Sequence, residues 1–90
     1  MTYKLAPHVT AEMLEKEGFK AHYDKGYLTS FCRPSKVMAK DNEIENELMV
    51  AWDKNCAYDK GIIGMRYNYP PVELEDVQDL IEKGYVIENG

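Results

Sequence analysis

Met13-Leu14-Glu15-Lys16-Glu17-Gly18-Phe19 and Leu80-Ile81-Glu82-Lys83-Gly84-Tyr85-Val86 are two uses of one local pattern. Each reads as the last turn of an amphipathic helix, then glycine, then an aromatic residue that opens an extended segment. Glycine accepts the left-handed conformation that ends many helices, and an apolar residue after it can fold back on the last turn. Working outward, the pattern predicts a chain that opens with a helix running into a strand and closes the same way. The first helix is expected over residues 11–17. Thr10 is its N-cap, Glu12 sits at the positive end of its dipole, and Val9 with Leu14 forms a hydrophobic staple. The last helix carries the apolar stripe Leu74, Val77, Leu80 and Ile81, with Glu73, Glu75 and Asp76 loading its first turn. Residues 85–88 add a short strand.

Between the two ends the chain reads as strands and turns. Residues 19–23 and 27–33 flank Asp24-Lys25-Gly26, the signature of a β-hairpin. Strict alternation places Tyr27, Thr29, Phe31 and Arg33 on one face and Leu28, Ser30 and Cys32 on the other. Residues 47–53 read as a strand, since Ile44, Leu48, Val50 and Trp52 alternate against acidic residues; a helix over 42–52, with Ile44, Leu48, Ala51 and Trp52 at helical spacing, is the alternative. Asp59-Lys60-Gly61 repeats the first turn's chemistry, and Pro70-Pro71 ends the extended stretch 61–69. The expected fold is a single α+β domain over 1–90: a small antiparallel sheet with the N-terminal and C-terminal helices on one face.

Bulk properties narrow the function. The 90 residues carry 30% charged residues, ten aromatics and a net charge of −5, the composition of a folded domain rather than a disordered one. The negative charge argues against direct nucleic-acid binding and against anionic membranes. The N-terminus shows no secretory h-region, and two cysteines, Cys32 and Cys56, suit reduced thiols in a cytoplasmic protein.

Candidate chemistry is sparse. His8, His22, Asp24, Cys32 and Cys56 lack metal-ligand spacing, so neither a metal nor a cofactor is expected. Cys32 shares a hairpin with His22, but a buried, inert thiol is the simpler reading than a nucleophile. No Gly-rich phosphate loop or Ser-centred elbow is present, and the chain reads as a non-enzyme.

Two features favour binding. Asp41, Glu43, Glu45 and Glu47 alternate along the chain, and on a strand they would form a row of carboxylates about 6.6–7 Å apart, spaced to meet a basic surface. Trp52, Tyr58, Arg66, Tyr67 and Tyr69 are residue types that anchor protein interfaces. These nine residues form the expected partner-binding set. The same residues admit ordinary roles as a solvated face and a core rim.

The layout of the two ends, Met13–Phe19 and Val77–Val86, resembles small uncharacterised α+β proteins encoded by phages and prophages. The resemblance implies a protein that binds and blocks a host factor, such as a defence or nucleic-acid enzyme. The expected function is thus a small acidic, non-enzymatic binding protein with a protein partner of basic surface, and a second copy of the chain is a further candidate partner. The alternative is a small-ligand or nucleotide pocket using Tyr and Arg side chains.

Overall fold

The computed structural model describes residues 2–37, 45–53 and 58–89. Six strands and two helices follow in the order β1 (Tyr3–Leu5), α1 (Ala11–Lys16), β2 (Lys20–Asp24), β3 (Tyr27–Pro34), β4 (Glu47–Ala51), β5 (Ile62–Met65), α2 (Leu74–Glu82) and β6 (Val86–Glu88). The strands form one sheet in the order β2-β3-β4-β5-β1-β6, and every neighbouring pair is antiparallel. The class is α+β.

Both helix ends behave as the local pattern requires. Thr10 accepts the Met13 N–H on its hydroxyl, and the residue before it, Val9, is buried with Leu14. Gly18 and Gly84 have φ of +90° and +75°. At each site the following amide folds back: Phe19 N–H donates to Leu14 O, and Tyr85 N–H to Leu80 O. These bonds satisfy carbonyls that a helix end otherwise leaves open.

The ambiguous middle is extended where it is described, since β4 pairs with both β3 and β5. Leu48 and Val50 point into the core, as the alternation predicts, and Trp52 packs on its rim. The chain opens with β1, however, not with a helix. Three residues are too few to show a period, and β1 exists because β5 and β6 flank it on both sides.

The hairpin corrects a second expectation. Lys20, Ala21 and His22 pair with Cys32, Phe31 and Ser30, but Tyr23 then pairs with Leu28. Thr29 is therefore an extra residue in β3, a bulge. Its carbonyl accepts both Trp52 N–H and Asp53 N–H, and its hydroxyl donates to His22 O. The bulge turns Leu28 onto the core, away from the face of Ser30 and Cys32 where strict alternation places it.

The core gathers Leu14 of α1 and Val77 and Leu80 of α2 with Tyr3, Phe31, Leu48, Val50, Ile63 and Met65 of the sheet. Truncating any of the fully buried leucines is expected to cost about 2–5 kcal/mol. A polar clamp reinforces this layer. Arg33, opposite Leu48 and buried, donates to Glu17 O at the end of α1, to Asp76 O, and through both terminal nitrogens to the Asp79 carboxylate of α2. Lys83 reaches from the end of α2 to the Glu17 carboxylate.

Candidate functional site

The opposite face of the sheet carries the residues with chemical capacity. Register puts Lys20 across from Cys32, His22 across from Ser30, and Pro34 across from Glu47. Arg66 follows β5 and returns its N–H to Glu47 O. Lys20, His22, Cys32, Pro34, Glu45, Glu47 and Arg66 line a cleft of about 390 Å³. Arg66 Nη1 donates to Glu47 Oε1 at 2.7 Å, and Nη2 lies 3.5 Å from both ring nitrogens of His22. The guanidinium also sits 5.1 Å from the Tyr67 ring centre. Partial burial works against the guanidinium charge, and the Glu47 hydrogen bond with the charges of Tyr67, Glu47 and Cys32 outweighs it, so the Arg66 pKa is raised.

Asn46 holds the rim of this cleft. Its Oδ1 accepts Glu47 N–H and Tyr67 N–H, and its Nδ2 donates to Tyr67 O. The start of β4 and the exit of β5 are thereby locked together, which fixes Arg66 beside Glu47.

The expected binding set separates into three places. Glu45, Glu47 and Arg66 meet at the cleft, with Tyr67 against the Arg66 guanidinium. Glu45 is exposed, whereas Glu47 is half-buried in its ion pair, so the two are not equivalent members of a solvated row. Asp41 and Glu43 lie outside the described residues. Tyr58 and Tyr69 form an edge-to-face pair with ring centres 5.7 Å apart. The Tyr58 hydroxyl donates to Met65 O, and its ring covers Gly64 so closely that a Cβ there would overlap it. Tyr69 is presented from an unusual backbone, because Asn68 and Tyr69 both have positive φ, +60° and +48°. Trp52 is on the core side, edge-to-face with Phe31 at 4.9 Å and with Lys60 Nζ 5.8 Å from its ring centre.

Sequence reasoning gave no binding role to Lys20, His22 or Cys32, and none to the hairpin tip, where Tyr23 and Tyr27 are 60% and 71% exposed. Two aromatics flanking an Asp-Lys-Gly turn were the available signal for the tip. Nothing local could place His22 beside Arg66, 44 residues away. Among the described residues no group of three or more His, Cys, Asp or Glu is placed to hold a metal, and no helix is long and apolar enough to cross a membrane.

Charge is distributed unevenly. Residues 11–18 and 73–83 carry eight carboxylates against two lysines, a net of −6, while the whole chain carries −5. The rest of the chain therefore sums to +1. Glu12, Glu15, Glu73, Glu75 and Glu82 on these segments are exposed.

No protein-family model, curated protein or solved structure matches the chain. The fold and the site define a small α+β domain with an acidic pair of helices and a mixed-charge cleft.

Proposed function

We propose that this chain is a small acidic, non-enzymatic binding protein that acts in the cytoplasm by docking on a basic surface of a protein partner. Both helices lie on one face of the sheet in this reading and present their outer side as the docking surface. The observation that carries the reading is the concentration of the net charge on residues 11–18 and 73–83. A surface of one sign steers encounter with a partner of the other sign and sets its salt dependence. Arg33 supports the arrangement, because it ties both helices to the sheet and holds their carboxylates in fixed relation.

A basic groove built for phosphates is the complementary surface. An inhibitor of a nucleic-acid enzyme or of a host defence enzyme, encoded by a phage, is the specific form this reading takes. The expected row at Asp41, Glu43, Glu45 and Glu47 becomes a secondary contact, since Glu47 is already committed to Arg66.

The test is capture of partners from bacterial lysate by wild type and by a variant with Glu15, Glu73, Glu75 and Glu82 changed to Gln. All four are exposed, so the variant should fold normally. Each captured protein is then purified and its association rate measured across salt concentrations. A salt-dependent rate that collapses in the variant supports the proposal. Equal rates and salt slopes for both proteins remove it.

A further inference from the structure

We infer that the cleft between β2, β4 and Arg66 is a binding site for a small zwitterion, specifically a free α-amino acid. The inference is independent of the helix surface. It rests on the signs and positions of the groups that β2–β5 bring to one sheet face.

Two cations, Lys20 and Arg66, and two carboxylates, Glu45 and Glu47, border the same cleft of about 390 Å³. Arg66 and Glu47 are paired with each other, so a simple anion would still meet exposed Glu45 and a simple cation would still meet exposed Lys20. A molecule carrying both charges can satisfy each sign with its opposite. The volume is at the lower end of small-ligand sites, the size class of a single amino acid.

The local geometry assigns the two ends. Arg66 Nη1 is committed to Glu47 at 2.7 Å, but Nη2 stands 3.5 Å from both His22 nitrogens, beyond the range of about 2.7–3.2 Å of a strong hydrogen bond. That loose contact marks Nη2 as the donor for a ligand carboxylate, with His22 and the exposed Lys20 beside it. Exposed Glu45 faces the same space and receives the ligand ammonium. Gly18, Ala21 and Pro34 supply walls with little bulk, and Cys32, 4% exposed, lies beneath. Asn46 keeps the frame rigid by bonding both flanking segments.

The experiment follows backbone amide shifts of the full chain during addition of glycine, glutamine, glutamate and lysine, each tested separately. Acetate and methylammonium serve as single-charge controls at matched ionic strength. At least one amino acid should saturate by about 10 mM, with shifts centred on residues 20–22, 32, 45–47 and 66, and the controls should bind at least about tenfold more weakly. Glu45→Gln should weaken the amino acid at least about tenfold while leaving any acetate response unchanged. Arg66→Gln should abolish both, and because it also breaks the Glu47 pair, Glu45→Gln is the deciding variant. Absence of saturation, shifts centred elsewhere, or acetate matching the amino acids would each overturn the inference.

Discussion

Arg33 holds Asp79 through two parallel hydrogen bonds, Nη1 to Oδ2 at 3.1 Å and Nη2 to Oδ1 at 2.9 Å. A residue near the end of β3 thereby fixes the C-terminal helix, 46 residues further along the chain. Such a paired fork is geometrically selective, which lysine could not reproduce.

The pair has a defined acid dependence. Burial pushes the Asp79 carboxyl up, but the Arg33 hydrogen bond and the charges of Arg33 and Lys36 overcome it and leave the pKa below its ordinary 3.8. A carboxyl depressed in the folded state contributes stability fully present above its unfolded pKa. That contribution fades as pH falls below about 4 and through the folded pKa. Asp79→Asn should cost about 1–3 kcal/mol at neutral pH and flatten the acid limb of stability against pH. Urea midpoints between neutral pH and about pH 2 check both statements; an unchanged acid limb removes the assignment.

Asp76 tests the buried end of the same layer. It is 1% exposed and accepts the Ser35 hydroxyl and the Lys36 N–H, each at 2.6 Å. Asp76→Ala removes the carboxylate that accepts both bonds beside the core and should cost about 3 kcal/mol or more, several times the effect of Glu75→Ala one residue earlier. Thermal unfolding of the two variants makes the comparison.

Gly18, Gly84 and Gly64 should respond to alanine for two different reasons. At Gly18 and Gly84 an added methyl meets open space, so only the positive φ resists it, at about 1 kcal/mol each. At Gly64 the methyl would strike the Tyr58 ring, displacing it from Met65 O and from Tyr69. Gly64→Ala should cost about 1–3 kcal/mol in the wild type and much less when Tyr58 is already alanine. A cost that persists unchanged in the double variant places the obstacle elsewhere.

The acidic stretch should divide on mutation. Glu45→Gln is expected within about 0.5 kcal/mol of wild type, as for an exposed charge. Glu47→Gln removes the 2.7 Å partner of half-buried Arg66 and should cost about 1 kcal/mol or more. Equal denaturation midpoints for the two variants would contradict the ion pair.

What the sequence determined by itself is what local physics governs. Thr10 as a cap, Gly18 and Gly84 as helix stops and the alternation of Leu48 with Val50 all follow from neighbours within a few residues, whereas the extended stretch expected to run to Pro70-Pro71 ends at Met65, and Asn68 and Tyr69 turn to positive φ before the prolines. The α+β class followed from those signals. Tertiary structure decided the rest. Tyr3–Leu5 is a strand only because residues 62–63 and 86–88 lie beside it, and the Thr29 bulge reflects its carbonyl serving Trp52 and Asp53. Arg33 read as a strand residue of ordinary charge and proved a buried clamp, because Asp76, Asp79 and Glu17 converge on it from two helices. The cleft was illegible for the same reason. His22, Glu47 and Arg66 are distant in sequence, and an electrostatic site forms only where pairing across strands sets them within a few ångströms of one another.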